Sequence, residues 1–258
     1  MKVSYLKPAD TIAEYVQEIL VLEHHWTKNP FVLPLFANGT PTLLFQTAKG
    51  KINNNSNHLT LFGQTVFPST LTLNDDFTLI AYFLKPFALI SLFNISAQEL
   101  TDNPIDLNSL SSSKTIYLQE QLLNATTPEA MIALLDNYLF KLITKTQKDV
   151  PLIKYATQKI ALHPYDKALK NIQEELCITE RTFQRLFERN VGVSPNSFRR
   201  ICQFNNTFQK LNRERTSSLS DLTFQNGYAD QSHFIRSFKE FTNLTPTEYL
   251  NYGTLPSQ

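Results

Sequence analysis

A short amphipathic helix, a tight turn and a second, capped amphipathic helix occur twice in the C-terminal half of this chain, and that duplication constrains its fold most. The later copy lies in Ser217 to Leu250, SSLSDLTFQNGYADQSHFIRSFKEFTNLTPTEYL. Leu219 and Leu222 give its first helix an apolar side, Asn226-Gly227 ends that helix with residue types that tolerate positive φ, and Asp230 is suited to cap the next. On a helical wheel, residues 231 to 241 place Phe234, Phe238 and Phe241 on one face and Ser232, Arg236 and Lys239 opposite. The earlier copy spans residues 168 to 191, ALKNIQEELCITERTFQRLFERNV: a helix through Ile172 and Leu176, a short turn, Thr179 as cap, then a helix to about Asn190. There Phe183, Leu186 and Phe187 cluster on one side, with Arg181 and Arg185 nearly opposite and Gln184 and Arg189 flanking them. The two caps are 51 residues apart (230 minus 179). Between them, Ser194 to Asn212 reads as one long helix with Pro195 in its first turn and Phe198, Ile201, Phe204, Phe208 and Leu211 as its buried stripe.

The phenylalanines bury, so chemistry falls to the polar faces. Gln231 and Ser232 in a first turn, with Arg236 one turn later, suit base edges in a major groove, where Arg holds guanine O6 and N7 and Gln holds adenine. One such helix alone equally fits an ordinary amphipathic helix with a solvated face. The second copy favours the DNA reading.

TFQRLFERNVGVSP in the first unit and GYADQSHFIRSFKEFTNLTPTEYL in the second resemble the AraC/XylS-type bacterial transcription regulators, over about Tyr165 to Tyr252. The resemblance implies two helix-turn-helix units joined by a linker helix, with recognition helices at about 179–189 and 230–241 entering adjacent major grooves of double-stranded DNA. It implies base-facing roles for Arg181, Gln184 and Arg185 in the first and Gln231, Ser232 and Arg236 in the second, with Arg189 and Lys239 completing the DNA-binding set. Four positions depart from the family pattern: Gln173 and Thr223 replace a small residue, Cys177 replaces the first turn's glycine, and Gln203 replaces a linker-helix arginine.

With 258 residues the chain can bury two ordinary cores. Residues 1 to 150 hold 10 Lys/Arg against 13 Asp/Glu, or −3, whereas residues 151 to 258 hold 14 against 10, or +4, and every arginine lies at or beyond Arg181. That division favours polyanion contact by the C-terminal part. Cys177 and Cys202 have no metal or redox spacing and read as small core residues in a reducing compartment. The N-terminus lacks a signal-peptide core, and the most apolar stretch, TLIAYFLKPFALISLF, is broken by Lys85-Pro86 before it could span a bilayer. The expectation is a cytoplasmic protein without a membrane partner.

Residues 1 to 110 are β-rich, with runs at Thr40–Gln46, His58–Phe67 and Phe77–Leu84 between turn-rich pieces such as FANGTP and KGKINNNSN. They predict a curled sheet or partial barrel, followed by a Pro86-headed helix, PFALISLFN, and a short helical segment near Ser96–Leu100; the fold class is α+β. YFLKPFALISLFNISAQELTDNPIDL is similar to the sensory domain of one branch of the same family, without its Gly-rich segment. No nucleophile elbow, phosphate-binding loop or paired carboxylate appears, so no catalytic residue and no cofactor is assigned. His24 and His25 would point to opposite strand faces and His58 stands alone at a loop edge, so no metal is assigned either. Trp26, Phe31, Phe45, Phe62, Phe67, Tyr82 and Phe83 read as plain core or as the lining of a pocket for a small-molecule effector of unknown identity.

Residues 111 to 149 connect sensor to reader, with helices from Thr115 to Asn124 and from Thr127-Pro128 to about Lys145, and a linker over 144–150 before Pro151 opens the DNA-binding part, 150–258. The stripe Met131, Ile132, Leu135, Tyr138, Leu139 and Leu142 covers its own chain or pairs two chains as a homodimer. A transcription regulator has RNA polymerase as a further candidate partner. The alternative is a small-molecule sensor acting mainly through protein contacts, its DNA binding weakened by Gln173, Thr223 and Cys177.

Overall fold

Eight antiparallel strands form the N-terminal sheet of the computed structural model, which describes residues 1–26, 28–52, 55–110, 113–146, 150–165, 167–213 and 219–251. They are β1 (Lys2–Leu6), β2 (Val16–His24), β3 (Phe31–Leu35), β4 (Thr42–Ile52), β5 (Asn55–Phe62), β6 (Ser69–Leu73), β7 (Phe77–Leu84) and β8 (Ile105–Asp106). The order is β1-β2-β7-β4-β5-β8, while β3 pairs with β6, and β6 returns to the far end of β4 through Lys51↔Thr72 and Ile52↔Leu71. The change of partners along β4 curls the sheet without closing it. Successive strand residues face opposite sides. Leu79 and Ala81 of β7 join Leu20, Leu22, Leu44 and Leu71 inside the curl, whereas Ile80 and Tyr82 join Ile19, Val21, Leu43, Phe45 and Leu61 on the side covered by helices. Both faces are buried, which is why LIAYFL, Leu79 to Leu84, shows no alternation of apolar and polar residues.

After β7 come one π-helical turn, Leu89–Phe93, and a 3-10 turn, Ala97–Leu100. Nine α-helices follow among the described residues: α1 (Ser113–Asn124), α2 (Pro128–Ile143), α3 (Pro151–Leu162), α4 (Ala168–Glu175), α5 (Glu180–Val191), α6 (Pro195–Arg213), α7 (Leu219–Gln225), α8 (Gln231–Thr242) and α9 (Pro246–Asn251). Thr127 caps α2, whose stripe packs within the chain: Met131, Leu135 and Leu139 are buried, and Ile132, Tyr138 and Leu142 lean on the same core. The Tyr82 hydroxyl, 2.6 Å from Asp136 Oδ1, ties α2 to β7.

The helices do not form a core apart from the sheet. Phe183, Phe187, Val191 and Phe198 lie in the same buried cluster as Phe45, Ile80 and Leu92, so the first helix-turn-helix unit packs directly on the N-terminal half. Gly192, at φ +99°, ends α5 against the 3-10 turn, and the Thr101 hydroxyl donates to its carbonyl at 2.9 Å. The second unit has its own cluster around Phe204, Phe208, Phe234 and Phe238, joined from the sheet side by Phe36 and Ala37. Two polar ties reinforce the join: Asn205 Nδ2 donates to the Asn38 carbonyl at 3.3 Å, and Lys154 pairs with Glu14 at 2.6 Å.

Several sequence expectations change. The strand expected over His58–Phe67 stops at Phe62, because Gly63 lies against the Leu100 backbone and Asp102 accepts from the Val66 and Phe67 N–H groups at 2.7 and 3.0 Å. The turn-rich KGKINNNSN is largely the β4–β5 hairpin, with His58 inside β5 and its Nδ1 3.0 Å from the Gln46 carbonyl. PFALISLFN contains only the π-helical turn. Trp26 and Phe67 are 52% and 68% exposed and line no interior; Phe31, Phe62 and Phe83 lie on the inner side, and Phe45 and Tyr82 face the helices. Cys177 is exposed rather than core, whereas Cys202 is buried. Of the expected turn and linker residues, 53–54, 111–112, 147–149 and 217–218 lie outside the described residues, as does Tyr252.

A methyl group on Gly192 would sit 2.6 Å from Thr101 Oγ1 and 2.7 Å from the Ala97 carbonyl oxygen, in a left-handed conformation. Gly192→Ala is expected to lower stability by roughly 1 to 3 kcal/mol, read as a lower midpoint in urea unfolding; an unchanged midpoint would show that the join between α5 and the 3-10 turn contributes nothing.

Candidate nucleic-acid interface

Each helix-turn-helix unit is built by local backbone chemistry. In the first, α4 ends at Leu176, and Cys177 takes φ +52°, the left-handed turn that glycine adopts at lower cost. Thr179 then caps α5, its hydroxyl accepting from the Thr182 N–H at 3.3 Å. In the second, Gly227 turns at φ +73° and Asp230 caps α8 by accepting from the His233 N–H at 2.7 Å. Both caps satisfy donors that the first helical turn leaves open, and both fix where the polar face begins.

The burial pattern separates the faces cleanly. Phe183, Phe187 and Val191 of α5 and Phe234, Phe238 and Phe241 of α8 are buried. Arg181, Gln184, Arg185, Arg189, Gln231, Ser232, Arg236 and Lys239 are all exposed. None of the five cations in that set forms an ion pair with a described residue. Gln184 donates to Glu188 at 3.1 Å, an exposed contact that a competing partner could displace. His233 is half-buried, edge-on to Tyr228 with ring centroids 5.3 Å apart. Other arginines have internal tasks: Arg199 donates to the Pro164 carbonyl at 3.2 Å and Arg200 pairs with Glu240. Among the described residues no His, Cys, Asp and Glu cluster could hold a metal ion. Burial pushes the Cys202 thiol up to about 12, which suits a packing role.

Both α5 and α8 lean on α6. Phe198 meets Phe187 at 5.5 Å, while Phe204 meets Phe238 at 5.6 Å and Phe241 at 5.1 Å. Gln203 is buried, and its Nε2 donates to the Asn226 carbonyl at 2.9 Å, closing the α7 turn; sequence reading noted this residue only as a missing arginine. The LTPTEYL segment is a capping box: Thr245 Oγ1 accepts from the Glu248 N–H at 3.2 Å, and Glu248 accepts in return from the Thr245 N–H at 2.7 Å. That backbone bond, then the Thr245 hydroxyl, holds the Glu248 carboxyl below its ordinary range. The box aims Tyr249 of α9 at Phe208, 5.0 Å away.

A helix-turn-helix domain model matches residues 172–252, and a domain of unknown function, DUF6597, matches residues 4–106. An uncharacterised HTH-type transcriptional regulator of Haemophilus influenzae is 25% identical over 84 residues, 33% of this chain and 28% of that protein. The chain thus spans less than a third of the length of that relative. ToxT from Vibrio cholerae has TM-score 0.54 at 14% identity, over 92% of this chain and 98% of that one. ToxT with bound unsaturated fatty acid has TM-score 0.51 at 13% identity, over 93% and 97%. The likeness to ToxT is one of fold, an open antiparallel sheet followed by helices. No described helix is long and apolar enough to cross a membrane.

Gln203→Leu would leave the Asn226 carbonyl unpaired in the interior, and such a loss costs about 1 to 3 kcal/mol. We expect a lower unfolding midpoint together with weaker duplex DNA binding; wild-type values for both would mean that the turn is held by its glycine alone.

Proposed function

We propose that this chain is a DNA-binding transcription regulator of the AraC type in which both units read DNA sequence, α5 and α8 entering adjacent major grooves; the helix-turn-helix domain model that residues 172–252 match supports this reading. What carries this reading is that two capped helices, each with an exposed Arg and Gln face, pack against one 19-residue helix, α6. At 1.5 Å per residue α6 is about 28 Å long, while successive major grooves on one DNA face lie about 34 Å apart. The mismatch is small enough for bent DNA or a modest shift of one unit. Arg181, Gln184 and Arg185 in α5 and Gln231, Ser232 and Arg236 in α8 contact base edges, and Arg189 and Lys239 contact phosphate. The helix N-termini capped by Thr179 and Asp230 add partial positive charge toward the same polyanion.

Residues 1–110 take the role of a sensor, joined by 111–149 to the DNA-binding part, 150–258. A cavity of about 70 Å³ inside the sheet is lined by Leu20, Leu44, Leu79 and Phe83, with Phe36 and, from α6, Phe208 also in its wall. A dry cavity of about 150 Å³ holds benzene, so a lipophilic effector would have to displace Phe36 or Phe208. ToxT, similar in fold, is described bound to an unsaturated fatty acid and to a naphthalenyl butenoic acid, which supports an apolar effector for this cavity.

Selection of bound sequences from a random duplex pool tests the DNA reading, and two enriched blocks about one helical turn apart are expected. Arg236→Ala should relax preference at one position of one block, at about 1 to 3 kcal/mol of discrimination, whereas Lys239→Ala should weaken all sequences alike and flatten the salt dependence. The reverse pattern would refute these roles. Absence of both enrichment and salt-sensitive binding would favour a sensor that acts through protein contacts.

A further inference from the structure

A second cavity, of about 370 Å³, lies where the end of β7 meets α3 and α6, and it shares only Asn38 with the apolar one. Its walls come from both halves of the chain: Thr40 and Lys85 from the sheet side, Thr157 from α3 and Asn205 from α6, with Phe198 and Cys202 as an apolar floor. Two groups in these walls lack the partners that burial demands. Lys85 is partly buried, burial is the sole cause depressing its pKa, and no described carboxylate pairs with it. Thr40 is 8% exposed, and its hydroxyl makes no hydrogen bond. A cation withdrawn from water without a counter-charge is unfavourable, as is a buried hydroxyl without a partner, and one oxyanion would relieve both. The volume falls within the range of small-molecule sites rather than that of a single ion.

We propose that this cleft binds a small organic oxyanion, a molecule whose carboxylate or phosphate meets Lys85 and Thr40 while its apolar part rests on Phe198 and Cys202. The amide of Asn205, which already reaches the Asn38 carbonyl at 3.3 Å, lies beside it, so an occupied cleft links the sheet to α6. This site is separate from the apolar cavity, and its test does not depend on DNA binding.

The test is thermal unfolding and titration calorimetry of the full chain at constant ionic strength, with inorganic phosphate, phenyl phosphate, succinate and benzoate as probes against chloride. At least one probe should bind saturably and raise the melting temperature in the wild type. Lys85→Met should weaken that binding tenfold or more, Thr40→Val by a smaller factor, and Lys85→Arg should retain most of it. Without probe, Lys85→Met should be at least as stable as the wild type, because it removes a charge that has no partner. Thr40→Val keeps the test decisive should Lys85→Met misfold. Equal binding by wild type, Lys85→Met and Thr40→Val, or no saturable response to any probe, would overturn the proposal.

Discussion

The packing of α6 against everything around it is the constraint on which the rest of the structure depends. This helix buries Phe198, Ile201, Cys202, Phe204, Phe208 and Leu211, more than a single stripe, because it has neighbours on several sides. Phe198 serves the first helix-turn-helix unit, Phe204 and Phe208 serve the second, and Phe36 of the sheet half meets Phe208 at 5.7 Å. Two fully enclosed polar residues of this helix are satisfied internally. Thr207 donates to the Gln203 carbonyl at 2.8 Å, and Gln203 reaches Asn226. Aromatic rings fill such a junction well: each buries a large area, and tilted or edge-on pairs are favoured over stacked faces.

The recognition faces follow from this enclosure. With Phe183 and Phe187 committed to one side of α5, the 3.6-residue repeat leaves Arg181 and Arg185 in solvent. The same logic presents Arg236 and Lys239 on α8. Cations that have no internal partner keep their full charge for an external polyanion, whereas Arg199 is engaged by the Pro164 carbonyl and Arg200 by Glu240.

The two helix-turn-helix units are not equivalent. The first shares its buried cluster with the sheet and is held at Gly192 by Thr101; the second meets the sheet half through Phe36 and Ala37 at the edge of its own cluster. A change in the N-terminal half thus reaches the first unit through a common core and the second through a few aromatic contacts.

The helix-turn-helix units were legible in the residues because their signals are local: caps at Thr179 and Asp230, the turn at Asn226-Gly227, and phenylalanines at helical spacing; the left-handed turn at Cys177 was not. The exposure of all eight proposed contact residues follows from that periodicity. The sheet was legible only in part. TLLFQ and FTLIAYFL announced strands, but β1, β2, β3 and β6 carry weaker patterns, and their pairing partners lie far away in sequence. Periodicity likewise says nothing about which apolar surface meets which, so the burial of the α2 stripe within its own chain, the exposure of Trp26 and Phe67, and the join of Thr101 to Gly192 across 91 residues emerge only once the chain is folded. The sequence by itself determined what neighbours along the chain decide, namely helix starts, turns and the polar recognition faces. The tertiary structure decided what distant residues decide together: the course of the sheet, the shared core, and the cleft in which Lys85 is left without a counter-charge.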